Sequence, residues 1–164
     1  MREAIFTACA CLLMFAAGEA NAATSNTTFN VQITITSQCT ISATTLDFGS
    51  QPGTITTNID QQNTVNVTCN LLTPWTVSLN AGTGTGGTVV LRKMTGPLGA
   101  TVDYTIYRDL TRTQIWGDGT SATFTVSGTG TGLVQPQIGF GRVPAPQSVP
   151  TGSYLDTITA TISF

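Results

Sequence analysis

The sequence contains no histidine and a single lysine, Lys93. Its only two glutamates, Glu3 and Glu19, precede residue 20. Charged residues are 9% of the 164, with six Lys+Arg against eight Asp+Glu. Each scarcity removes a class of function. Without histidine there is no imidazole base to activate a serine or cysteine nucleophile, and no Cys/His set for zinc. Five scattered cations beyond residue 22 leave no electrostatic footprint for nucleic acid and no polybasic patch for anionic lipid. The shortage of Glu, Lys and Met argues against an extended helical domain. Long hydrophobic runs are missing too. The longest, residues 4–17, falls short of the roughly 20 residues that cross a bilayer.

That run belongs to a secretory signal by its flanks. Arg2 supplies a positive start, and Ala20-Asn21-Ala22 is the small-x-small pattern of a cleavage site, with cleavage expected before Ala23. Residues 1–22 therefore read as a signal peptide, with no membrane insertion after its removal. Residues 23–164 suffice for one domain with one core. Of the four cysteines, Cys9 and Cys11 lie in the signal, leaving Cys39 and Cys69. Two cysteines in an exported chain read as one disulfide. Closing a 30-residue separation, it is worth about 3–4 kcal/mol by chain entropy. The competing metal reading lacks histidine and a C-x-x-C pair.

What abounds is threonine, 33 residues, with 17 glycines and 40% hydrophobic residues. Thr, Val and Ile favour strands. Residues 29–36 alternate without a fault, placing Phe29, Val31, Ile33 and Ile35 on one face. Strands are predicted over residues 63–69, 75–79, 88–94, 103–107, 123–126, 133–140 and 156–164. The last carries Ile158, Ala160, Ile162 and Phe164 on one face. Turn-rich segments separate them, including the Gly/Thr tract at 82–88, which reads as a hairpin loop. Short strands at this spacing predict an all-β antiparallel sandwich.

Chemistry-bearing motifs are weak. Gly82-Thr83-Gly84-Thr85-Gly86-Gly87 matches G-x-G-x-x-G, but strand-like Thr88-Val89-Val90-Leu91 follows instead of the helix that would face a pyrophosphate. Asp47, Asp60, Asp103, Asp109, Asp118 and Asp156 read as turn formers and arginine partners rather than a catalytic pair or a calcium loop. No catalysis and no cofactor or metal is expected.

The two ends discriminate better. A sandwich finishing on a strand leaves an open sheet edge, which invites pairing with another chain. An alternating N-terminal strand can either pack in its own domain or fill a gap in a neighbour, the arrangement of donor-strand complementation. The pattern alone leaves both open.

The chain resembles the spore coat protein U-like domain, the family of pilin subunits of archaic, Csu-type chaperone–usher pili. The resemblance is carried by Cys39-Thr40-Ile41-Ser42-Ala43, Leu46-Asp47-Phe48-Gly49, Val67-Thr68-Cys69 and Thr73-Pro74-Trp75-Thr76-Val77-Ser78-Leu79. It continues through Arg92-Lys93-Met94, Tyr104-Thr105-Ile106-Tyr107-Arg108-Asp109, Trp116-Gly117-Asp118-Gly119 and Gly152-Ser153-Tyr154-Leu155-Asp156 to Phe164. It implies an incomplete immunoglobulin-like sandwich over residues 39–164, with an N-terminal extension and donor strand over 23–38. Phe29, Val31, Ile33 and Ile35 become the donor residues. Ile158, Ile162 and Phe164, on one face of the C-terminal strand, would border the acceptor groove. Trp75, Tyr104, Tyr107 and Trp116 become core or groove aromatics. The implied partners are a periplasmic pilus chaperone, an outer-membrane usher and other pilin subunits. The implied product is a cell-surface pilus supporting attachment and biofilm. A spore or cell-surface coat protein of the same fold, and a secreted carbohydrate-binding or adhesin domain, stand as alternatives.

Overall fold

The computed structural model describes residues 22–164. The signal segment, apart from Ala22, lies outside the described residues. The chain divides into Met1–Thr34 and Ile35–Phe164. From residue 22 to residue 38 there is neither helix nor strand. The strand predicted over residues 29–36 is thus not formed here. A lone strand has no partner for its N–H and C=O groups, and none of the described strands pairs with it.

The second unit is all-β. Its strands are β1 (Cys39–Ala43), β2 (Thr54–Ile55), β3 (Ile59–Cys69), β4 (Pro74–Leu79), β5 (Arg92–Thr95), β6 (Thr101–Tyr107), β7 (Val126–Thr129), β8 (Val134–Val143), β9 (Gln147–Ser148) and β10 (Ala160–Ser163). Five form one sheet in the order β1-β3-β8-β6-β5. Three form a second, β10-β4-β7, and β2 pairs with β9. Every pairing between these strands is antiparallel.

Period-two patterning builds the core. Val65, Val67 and Cys69 of β3, Trp75, Val77 and Leu79 of β4, and Val102, Tyr104 and Ile106 of β6 are buried on alternate positions. Each such apolar side chain contributes about 1.5–3 kcal/mol. Trp116 is fully buried and its indole N–H donates to the Val77 carbonyl at 3.1 Å. The buried Arg92 donates to the carbonyls of Asn80 (2.9 Å), Leu79 (3.4 Å) and Trp116 (2.9 Å), fixing the exit of β4. The Cys39–Cys69 disulfide joins β1 to β3 across facing positions.

The registers assign each strand end to a pole. β1 begins, β3 ends and β8 begins at one pole, where Cys39 faces Cys69 and Thr68 faces Val134. β4 begins and β7 ends there as well, since Leu72 N–H donates to Gly130 O and Gly130 N–H to Thr73 O. At the opposite pole Ile59 faces Val143, and the turn joining β5 to β6 closes over Pro97–Gly99.

Several predicted boundaries moved, each for a local reason. The strand expected over 88–94 shrinks to β5 because Thr88 and Leu91 close a turn, with Thr88 N–H donating to Leu91 O at 2.9 Å. The strand expected over 123–126 begins only at Val126, since Thr123 is tied back to Thr120 O. The tract at 82–88 is no hairpin loop. It connects β4 in one sheet to β5 in the other.

Candidate functional site

The outer edge of β10 is unpaired among the described strands. Asn80 N–H donates to Thr159 O at 3.1 Å, and Ala160 faces Leu79. Antiparallel ladders alternate bonded and non-bonded pairs. Thr159 and Thr161 therefore turn their backbone groups toward β4, while Ile158, Ala160 and Ile162 turn theirs outward. That outer edge borders a groove. One rim is the chain following β1, residues 43–53. The other is the chain entering β10, residues 149–160.

The groove consists of two adjoining hollows of about 560 and 330 Å3. Both touch Leu46, Phe48, Met94, Tyr154 and Leu155. The smaller is floored by Val65, Leu79, Tyr104 and Ile106, the larger by Ile55, Ile59, Val102 and Val143. At one end the rims join, where Val149 N–H donates to Gly53 O at 2.9 Å and β2 meets β9. At the other end β1 approaches β10. Between them, core side chains line an open channel.

A single carboxylate shapes one wall. Asp156 Oδ1 accepts from the backbone N–H groups of Thr83 (2.6 Å), Gly84 (2.9 Å) and Thr157 (2.7 Å). Its Oδ2 accepts from the Tyr104 hydroxyl at 2.6 Å. The glycine-rich loop thus cradles an anion after all, but one of the protein's own. Gly82 has φ +82° and a side chain there would run into the Asp156 carboxylate. Burial raises the Asp156 pKa, but the Tyr104 bond and the backbone N–H groups outweigh it and hold the carboxyl below its ordinary value. Burial, then the bond to Asp156, pushes the Tyr104 hydroxyl far up, so its proton stays in place.

The other aspartates serve turns and ion pairs. Asp60 accepts both arms of Arg142, at 2.7 and 2.8 Å, and this lowers its pKa. Asp118 accepts from Thr120, and Asp109 from Thr113 and Gln114. Lys93 pairs with Asp103.

Ile158 lines the smaller hollow. Ile162 packs against the core further along β10. Phe164 lies 57% exposed, beside Pro74 and Trp75 at the far end of that sheet. Trp75, Tyr104 and Trp116 are buried, Tyr107 partly so. Phe29, Val31, Ile33 and Ile35 are 84%, 88%, 80% and 76% exposed. Of the groove residues, Met94 closes the strand predicted over 88–94, while Leu46, Phe48 and Leu155 lie outside every predicted strand. Leu46 and Phe48 are apolar residues spaced by two in an otherwise polar rim, Leu46-Asp47-Phe48, a spacing that could have marked them.

The sequence profile of the Spore Coat Protein U domain matches residues 25–161. The chain belongs to the spore coat protein U domain family. A member from Myxococcus xanthus, Protein U, is 34% identical over 177 aligned positions, covering 98% of this chain and 96% of the relative. The chain also superposes on a solved structure at TM-score 0.59 and 22% identity. That structure is the CsuC–CsuE chaperone–tip adhesion subunit pre-assembly complex from archaic chaperone–usher Csu pili of Acinetobacter baumannii. The match covers 80% of this chain but only 41% of the other. It establishes for this spore coat protein U domain an immunoglobulin-like all-β fold.

Proposed function

We propose that this protein is a structural subunit of a chaperone–usher pilus, polymerised by donor-strand exchange. The observation that carries the reading is a pair of complementary features in one chain. An apolar groove lies beside an unpaired β10 edge, and an alternating apolar segment, residues 29–35, is exposed. Seven residues at about 3.4 Å per step span about 20 Å, a length suited to a groove rimmed by residues 43–53. Burying Phe29, Val31, Ile33 and Ile35 offers about 6–12 kcal/mol before entropy costs. The bare edge of β10 would gain a ladder partner at the same time.

In this reading residues 1–22 direct export and are removed. Residues 23–38 form the donor extension, and residues 39–164 the acceptor domain. A periplasmic chaperone covers the groove until an outer-membrane usher exchanges it for the donor of another subunit. The resulting fibre sits on the cell surface and supports attachment and biofilm. Its assembly is driven by completion of a fold, so no residue is assigned a catalytic role and no cofactor is needed. The pre-assembly complex in the similar structure supports the chaperone step.

The test is a denaturing gel of the exported protein, unheated against boiled, with and without residues 23–36. Expected is a ladder that resists detergent unheated, collapses on boiling and is absent from the truncated chain. Monomer in every lane, from cells that also make the cognate chaperone and usher, would sink the reading. The family description favours one alternative, a coat layer of the same fold. Electron microscopy of the ladder material separates the two: fibres support the pilus, sheets the coat.

A further inference from the structure

The pole where β1 begins is unusually apolar for a surface. The turn after β3 exposes Leu71 and Leu72, and the turn before β8 exposes Leu133. The two turns are hydrogen-bonded to each other, Leu72 N–H to Gly130 O at 2.8 Å and Gly132 N–H to Cys69 O at 3.0 Å. At the opposite pole Leu98, in the turn between β5 and β6, is 100% exposed. Leu72 and Leu98 have φ of +63° and +56°. Leucine is disfavoured in that left-handed region, where glycine or asparagine would sit without strain. Each of the two poles thus spends backbone strain to hold a leucine in solvent.

We propose that these two patches meet: Leu71, Leu72 and Leu133 of one copy dock head-to-tail on the Leu98 turn of a second copy. The inference rests on the donor-strand reading and follows from the length of the tether. Gln38 O accepts from Asn70 N–H at 3.0 Å, so the extension leaves the domain beside Leu71. From Ile35 to Gln38 the chain spans at most about 11 Å. A donor that follows the antiparallel habit of every other pairing runs from the Ala160 end of the groove toward Leu155 and Val149. Ile35 then lies where Gly53 and Val149 close the groove. The Leu98 turn flanks that end, since Gly152 packs against Pro97. The short tether brings the leucine-bearing pole of the donor subunit against it. Because the two patches differ and lie at opposite poles, the contact is heterologous and can repeat from copy to copy along a fibre.

The test places cysteine at both poles, Leu98→Cys with Leu71→Cys, and treats assembled protein with a short bismaleimide. Expected is a multimer ladder that survives boiling, while each single variant gives at most a dimer. Boiled monomer from an assembly that shows a ladder unheated would overturn the docking and leave strand exchange standing. No ladder in any unheated lane, wild type included, would overturn both. A second variant guards against misfolding: Leu98→Asp, tolerated better than leucine at positive φ, should make the unheated ladder dissociate at a lower temperature than wild type. An unchanged dissociation temperature would overturn the docking.

Discussion

Asp156 joins segments that lie far apart in the chain. One oxygen holds the backbone of Thr83 and Gly84, the other the hydroxyl of Tyr104 on the groove floor. Removing it strands a largely buried hydroxyl and two loop N–H groups, and a lost partner of a charged acceptor costs about 1.5–3 kcal/mol. Asp156→Ala should therefore lower the melting temperature, with the loss at neutral pH equivalent to about 2–3 kcal/mol. The pH dependence has a definite sign. The folded carboxyl titrates below its ordinary value, so its contribution is complete above the unfolded pKa of about 3.9 and is lost as pH falls through the folded value. The gap between wild type and Asp156→Ala should narrow below about pH 4. Melting curves from pH 7 to pH 2 with a constant gap would refute the role given to this carboxylate. Nothing in the spacing of the sequence connected Asp156 to residues 83 and 84. The glycine-rich tract reads in the sequence as a hairpin loop and not as an anion site, and only the fold brings the Asp156 carboxylate to its N–H groups.

At the scale of elements, the strands that the sequence made legible are those with a core on one face. β3, β4, β6 and β8 sit close to the segments their alternation predicted, because burial on one face enforces a period of two. β1, β2 and β9 were not legible. β2 and β9 have two residues each, too short for any period, and β1 shows only Cys39 and Ile41 in partial burial. Residues 29–36 have the most regular alternation of all and form no strand, since periodicity reports a face to be buried and not which domain buries it. The same point gives a test. Ile33 stands at the centre of the exposed apolar face, so Ile33→Asp would place a charge in an apolar groove without a partner, a cost of several kcal/mol. The variant should accumulate as chaperone-bound monomer and give no unheated ladder. The groove of its own domain is unaltered, so the chaperone complex should form in normal amount. Fibres of normal length from Ile33→Asp would remove residues 29–35 from the role of donor.

For the whole molecule, the core and the disulfide hold a domain whose two sheets stay open along one seam. The buried Tyr104, Ile106, Val102 and Val143 lie beside that channel, and under the proposed function a strand that fills it adds to the stability of the domain. A ligand that binds only the folded state adds RT ln(1 + [L]/Kd), about 2.7 kcal/mol at a hundredfold excess over Kd. A peptide of residues 27–37, added to a chain lacking residues 23–36, should therefore raise the melting temperature in a concentration-dependent way. For a domain of this size the shift is roughly 5–10 °C at that excess. The same peptide carrying Ile33→Asp should give little or no shift, because the gain comes from the apolar face and the charge would enter the channel unpaired. Equal shifts from both peptides would mean that backbone pairing along β10 alone accounts for the stabilisation. No shift from either would mean that the channel does not accept this segment as a strand.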